Sequence, residues 1–152
     1  MLEAATNNTQ SRLPDGNVGS LSLICLNLPI PPSMNEIWKY GNKRVYKSPR
    51  YERWIEAAGY ILNTQKAGQE PIKGHFQSYV ILSEKQRDKR SDLDNRTKAL
   101  YDLLERHGII ENDKLQDEMW IQWGPEEEAP MGCRVYIWKT GGLNVHERLH
   151  IC

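Results

Sequence analysis

The sequence predicts an α+β fold, a small mixed β-sheet packed by two main helices, with a β-hairpin after the first strand. Three observations carry that prediction. Apolar runs at Leu21–Leu28 and Phe76–Leu82, and alternating ones at Met119–Trp123 and Cys133–Ile137, have the length and period of strands. Two longer stretches, opening near Ser48 and Asp94, repeat apolar residues at helical spacing. Strands and helices are interspersed along 152 residues, of which 39% are hydrophobic and 26% charged, which suits one soluble domain with its own core.

Taken in order, residues 1–20 are polar with few apolar anchors and are expected to be a disordered tail. The domain proper is expected over 21–139. Its first strand, Leu21–Leu28, is stopped by Pro29, Pro31 and Pro32. Trp38–Tyr46 reads as a hairpin with Gly41-Asn42 as its two-residue turn, Trp38 and Tyr40 on one face and Lys39 on the other. Aromatic faces beside basic tips suit a DNA strand or an opened base step, or else the aromatics pack on the core. Ser48-Pro49 is a helix start, and Tyr51, Trp54, Ile55, Ala58, Ile61 and Leu62 form its buried stripe, with Gly68 as a stop. Phe76–Leu82 is the second main strand. Residues 83–91 hold no large apolar side chain and form an arm ahead of the second helix, which runs from about Asp94 to His107 and closes at Gly108. A strand from near Asp117 and the strand through Cys133, Val135 and Ile137 are expected to pair as an antiparallel hairpin across the loop Gly124–Gly132. Residues 140–152 form a C-terminal tail with no evident partner.

No run approaches the roughly 18 apolar residues of a membrane span, and the first residues lack the basic and apolar segments of a secretion signal, so a cytoplasmic protein is expected. Cys25, Cys133 and Cys152 are an odd set without a close pair, which favours reduced thiols over disulfides.

Formal net charge is zero, yet its distribution is uneven. Lys39, Lys43, Arg44, Lys47, Arg50 and Arg53 form one basic group, and Lys85, Arg87, Lys89, Arg90, Arg96 and Lys98 a second. Together they hold twelve of the 20 Lys and Arg residues, while acids gather elsewhere, as at Glu126-Glu127-Glu128. Two such patches can supply phosphate contacts on a neutral protein, or be ordinary solvated faces.

Between the second patch and the second helix stands Asp92-Leu93-Asp94-Asn95-Arg96-Thr97-Lys98. In an extended segment, Asp92 and Asp94 point to the same side. If the helix opens near Asp94, Lys98 lies one turn on along the same face, opposite Leu100, Leu103, Leu104 and His107. Two neighbouring carboxylates raise a pKa, find a basic partner or bind a hard divalent cation through oxygen. With Lys98 beside them, Mg²⁺ handling a phosphate is the sharpest reading. The plain alternative is a helix N-cap, with Asp94 capping, Asp92 at the positive end of the dipole and Lys98 solvated.

These residues, with Asp102-Leu103-Leu104 before Gly108, Asn112-Asp113, and the upstream Pro29-Ile30-Pro31-Pro32-Ser33-Met34-Asn35, resemble the RusA family of Holliday-junction resolvases, in order and spacing, from about residue 21 to about 138. The resemblance implies a Mg²⁺-dependent endonuclease that cuts four-way DNA junctions in recombination and repair, in bacteria or bacteriophage. It places the catalytic set on Asp92, Asp94, Lys98 and Asp113, and the metal ligands on the three aspartates. The family often carries a second acid where this chain has Asn112. Since a junction must be cut at two symmetric strands, one catalytic set per chain implies a twofold homodimer, as does the resemblance. The basic groups become DNA contacts: Lys39, Lys43, Arg44, Lys47 and Arg50, then Lys85, Arg87, Lys89, Arg90 and Arg96.

Geometry permits Asp113 to join the pair. A helix of about 14 residues carries the chain roughly 21 Å away, and five extended residues return at most about 17 Å. A shared site within one chain therefore requires a nearly straight return, with two carboxylate side chains and a bridging ion closing the few ångströms left. Otherwise a partner chain completes each site.

Three rivals follow. His146-Glu147-Arg148-Leu149-His150 matches a zinc pattern, with Cys152 as a third ligand, but it sits at the end of the chain without a scaffold. A non-catalytic branched-DNA-binding module would keep the basic patches and treat the aspartates as caps and loop acids. A nuclease for flaps or forks would differ only in substrate.

Overall fold

The computed structural model describes residues 23–89 and 92–142. The expected N-terminal tail, Arg90, and the zinc pattern with Cys152 lie outside the described residues. The α+β architecture is as the sequence predicts: among the described residues a four-stranded mixed sheet carries helices on one face.

Strand β1 (Ile24–Pro29) alternates buried and half-buried residues, and Pro31 and Pro32 follow it, both buried. Helix α1 (Met34–Ile37) is a single turn whose Glu36 carboxylate accepts from the Ser33 N–H at 3.0 Å. Strands β2 (Trp38–Gly41) and β3 (Arg44–Lys47) form a separate two-stranded antiparallel ribbon. Its turn residues are Asn42 and Lys43, with φ of 49° and 60°, one position beyond the expected Gly41-Asn42. A two-residue hairpin turn needs positive φ at both central positions, and Asn tolerates that conformation. Gly41 instead pairs with Arg44 and lies beneath the Tyr46 ring, where a Cβ would sit 3.4 Å from Cε1.

Helix α2 (Pro49–Gln65) opens as expected, the Ser48 hydroxyl accepting from the Tyr51 N–H at 3.1 Å. Tyr51, Trp54, Ala58 and Leu62 are buried. The helix is tied to the edge strand by Trp54 Nε1, which donates to the Pro29 carbonyl at 3.2 Å, and by Gln65. That side chain accepts from the Asn27 N–H at 2.8 Å and donates to the Asn27 carbonyl at 2.6 Å. Polar groups on β1 that would otherwise face solvent are thereby satisfied.

Strand β4 (Phe76–Ser83) is buried on nearly every residue, the signature of a central strand covered on both faces. The chain then passes through 3₁₀ turns at Glu84–Gln86 and Asp94–Arg96 into α3 (Thr97–Arg106) and returns as β5 (Gln116–Gly124), parallel to β4. A parallel neighbour needs such a crossover. Leu100, Leu103 and Leu104 of α3 are fully buried, each contributing about 1.5–3 kcal/mol.

Strand β6 (Gly132–Lys139) corrects the sequence reading. It does not pair with β5. The order is β1-β6-β4-β5, with β6 antiparallel to both β1 and β4. Because α3 delivers β5 to one side of β4, the other side of this doubly buried strand is left for β6. Alternation along the strands feeds two cores. Val80, Leu82, Val135 and Ile137 face the helices, while Tyr79, Ile81 and Trp138 gather with Ala129 on the other face. There Tyr79 stacks on Tyr136 and Trp120 on Trp138. Met119, on the same strand face as Ile121 and Trp123, is exposed, and only the latter two pack against the main core.

Candidate active site

The segment before α3 is not extended. Leu93 has helical φ and ψ of −60° and −49°, so alternation does not relate Asp92 to Asp94. What joins them is Asn95. Its side-chain amide donates to Asp92 Oδ2 and its backbone N–H to Asp94 Oδ1, each at 3.0 Å. Asp94 does not cap α3 with its side chain; its backbone carbonyl accepts from the Thr97 hydroxyl at 2.7 Å. Both carboxylates are exposed.

The turn is anchored from below. Half-buried Leu93 packs on the main core, and Arg96 is 6% exposed, with its guanidinium donating to the Pro31 carbonyl at 2.7 Å. Unlike the other described basic residues of the two patches, Arg96 is buried, a strut between the Pro-rich entry and the acidic turn.

One helical turn on, Lys98 Nζ lies 2.8 Å from Asp102 Oδ1 and 3.2 Å from Asp113 Oδ2. The first pair is the i,i+4 neighbour on α3. The second closes across the return from the helix. Gly108, with φ of 70°, lets the chain reverse, and the Ile109 N–H donates to the Leu104 carbonyl at 2.9 Å. Buried Ile109 and Ile110 then run alongside Ile72. Asn112, in the place where a second acid was expected from the resemblance, accepts from the Lys114 N–H at 2.9 Å and caps the 3₁₀ turn Asp113–Leu115. The Asp113 N–H donates to Glu105 Oε2 at 3.3 Å. The return thus brings Asp113 to Lys98 within one chain.

The two ion pairs are partly exposed, so each contributes at most about 1 kcal/mol; they place the amine more than they hold the fold. Asp102 first, and then Asp113, raise the Lys98 pKa above its ordinary value, so the amine is fully protonated at neutral pH. Asp102, Glu105 and Arg106 join Lys98, Asp113 and Lys114 in lining an open cleft of about 520 Å³. Asp102 carries no assigned role from the sequence alone, although its four-residue spacing from Lys98 is a visible signal. Glu105 has no such mark, since its partner is a backbone group eight residues on.

Two groups therefore follow one another along the chain into α3: Asp92 with Asp94, and Lys98 with Asp102 and Asp113. Among the described residues, no three His, Cys, Asp or Glu side chains are gathered to hold a metal ion. The donors nevertheless fit Mg²⁺ in kind. They are carboxylates, two of them exposed and linked through the side-chain amide and backbone N–H of Asn95, and Mg²⁺ is bound through one or two carboxylates while keeping water and phosphate for the rest of its shell.

The remaining expected DNA contacts fall into three situations. Lys39, Lys43, Arg44 and Lys47 are exposed on the hairpin, with Lys47 Nζ 5.9 Å from the Trp38 ring centroid and 5.2 Å from that of Tyr51. Arg50 pairs with Glu36, and Lys85 with Glu126 at 3.0 Å. Arg87 lies 5.6 Å from the Trp123 ring, and Lys89 is exposed.

Comparison with known proteins bears on this arrangement. The family model for endodeoxyribonuclease RusA matches residues 29–137, from the end of β1 into β6. The chain belongs to the RusA family. A curated RusA-family relative, the crossover junction endodeoxyribonuclease RusA of Aquifex aeolicus (strain VF5), is 36% identical over 95 residues. That alignment spans 62% of this chain and 73% of the relative. The RusA match contains the acidic turn, Lys98, the return and the hairpin, so both groups lie within the family's region.

Proposed function

We propose that this protein is a Mg²⁺-dependent endonuclease that resolves four-way DNA junctions by symmetric phosphodiester hydrolysis, acting as a homodimer in the bacterial or phage-infected cytoplasm. Residues 21–139 form its single nuclease domain. The observation that carries the reading is the return of Asp113 onto Lys98 beside the Asp92–Asp94 turn, in a chain of an endodeoxyribonuclease family. Among the described residues no helix is long and apolar enough to cross a membrane.

Asp92, Asp94 and Asp113 would hold the metal. Once bound, Mg²⁺ supplies polarisation of the scissile phosphate and a lowered pKa for water. Lys98 contributes a fixed positive charge to the phosphorane-like state or the departing oxygen, where a preorganised donor acts most strongly. Its carboxylate partners Asp102 and Asp113 favour the charged form of the amine. Asp102 positions the amine. Lys39, Lys43, Arg44, Lys47, Arg50, Lys85, Arg87, Lys89 and Arg90 contact phosphates. Exposed pairs such as Arg50–Glu36 and Lys85–Glu126 are weak enough to be exchanged for a phosphate.

The test incubates the protein with a mobile four-way junction, a flap, a fork and a linear duplex, each in Mg²⁺ and in EDTA, beside Asp94→Asn. Paired symmetric nicks on the junction alone, lost in EDTA and in the variant, are expected. Tight junction binding without nicks supports a binding module instead, and preferred cutting of flaps or forks supports a nuclease of that kind.

A further inference from the structure

The hairpin is built unlike the rest of the molecule. Every residue of β2 and β3 is exposed. Among the described residues eight large hydrophobics are exposed, and five of them, Met34, Trp38, Tyr40, Val45 and Tyr46, belong to α1 and this ribbon. The register pairs Trp38 with Lys47 and Tyr40 with Val45, so these four share one face, while Lys39, Arg44 and Tyr46 take the other. From Trp38 to Lys47 there are four basic residues and no acid. Tyr40, at 82% exposure, presents nearly its whole ring to solvent.

The ribbon's base borders a groove that shares Arg106 with the Lys98–Asp113 cleft. Lys47 and Tyr51 line a groove of about 660 Å³ between α2 and the end of α3, with Glu52 and Glu56 also in its wall. Arg106 borders both this groove and the cleft holding Lys98 and Asp113.

From these observations we infer that the Trp38–Lys47 hairpin is the element that distinguishes branched from linear DNA, stacking Tyr40, and Trp38 behind it, on bases left without a neighbour at the branch point. The inference rests on the nuclease reading above and assigns the source of its selectivity. A continuous duplex offers phosphates but no free base face, whereas a branch point offers both. Aromatic rings interleaved with Lys and Arg are the composition that binds unstacked nucleic acid. A second copy of the chain fits the ribbon less well, since protein interfaces are depleted in Lys.

The test uses the full chain carrying Asp94→Asn, so that substrate stays uncut, with and without Tyr40→Ala, Trp38→Ala or Tyr40→Phe. An immobile junction with 2-aminopurine at the branch and a linear duplex of the same sequence are titrated in Mg²⁺. Tyr40→Ala is expected to weaken junction binding on the order of tenfold, to leave duplex binding unchanged and to remove the protein-induced change in 2-aminopurine emission. Tyr40→Phe is expected to restore both, and Trp38→Ala to act in the same direction as Tyr40→Ala. Equal losses on junction and duplex, or an unchanged emission response, overturn the inference. So does a shift to monomer for Tyr40→Ala in sedimentation, which makes the ribbon a protein contact. If the Asp94→Asn parent itself shows no junction preference, the resolvase reading fails and takes the inference with it. A preference that survives Tyr40→Ala removes the inference alone.

Discussion

The acidic turn and the hairpin both present polar side chains to solvent, but they are held in place by opposite means. Leu93 and Arg96 fix the turn from beneath, three fully buried leucines seat the helix behind it, and Asp113 arrives from beyond that helix to meet Lys98. The hairpin has no buried strand residue and is shaped by its own turn at Asn42 and Lys43. Reactive groups need positions set within a fraction of an ångström, which packing against a rigid scaffold supplies. A surface meant to meet a deformable polymer tolerates a ribbon that is marginal alone.

Substitutions that separate the two regions follow. The largest effect is expected at the acids and the lysine. Asp94→Asn and Lys98→Ala each lower the single-turnover cleavage rate by about 100-fold or more, while junction affinity, carried by the basic patches, changes little. Loss of binding together with cutting would deny that division of labour. Asp102→Ala removes the partner that holds the amine on its own helix, and a fall of about tenfold in kcat is expected, with junction affinity intact. Partial recovery in Asp102→Glu would mark positioning rather than packing.

The scaffold can be probed where α2 meets α3. A Cβ on Gly59 would stand 2.6 Å from His107 Nε2, and that ring is tied to Asn63 Oδ1 at 3.1 Å. Gly59→Ala is expected to lower stability in urea by about 1 kcal/mol. Combined with His107→Ala, the loss shrinks or reverses, because alanine is the better helix former. In the hairpin, Lys43→Gly relieves a positive φ and leaves the global unfolding midpoint within a few tenths of a kcal/mol, whereas Asn42→Val destabilises the ribbon alone. Its signature is a weaker junction preference at an unchanged melting temperature. A drop in melting temperature would show the ribbon to be coupled to the core.

The smallest effect concerns pH. Burial, followed by Lys66 and Arg106, lowers the His107 pKa below its ordinary value. The unfolded chain then binds more protons than the folded one as pH falls from near 6.5 through the folded pKa, so stability declines across that window and is level above it. Urea midpoints from about pH 7.5 to about pH 5 measure the slope, which His107→Gln is expected to reduce.

Much of this was legible locally. The strand and helix segments, the Ser48 cap, the buried stripe of α2, the leucines of α3 and the neighbourhood of Asp92, Asp94 and Lys98 depend on residues within a turn or two of one another, and side-chain period and capping chemistry are properties of a single segment. Three features were not. The hairpin turn lay one residue further on, because Gly41 is used beneath Tyr46. Arg96 looked like one more base in a basic run until the Pro31 carbonyl claimed it. The last two strands, each alternating as a strand does, looked like partners.

By itself, the sequence determined which segments are strands and helices, and that two acids come just ahead of an amine where one helix begins, since these follow from spacing along a continuous chain. Only the tertiary structure decided that β4 separates β5 from β6, that Arg96 is a strut, and that Asp113 meets Lys98. Alternation says which face of a strand is apolar but not which strand lies beside it. A carboxylate fifteen residues away reaches an amine only when buried contacts, here Ile109 and Ile110 against Ile72, direct the chain back to it.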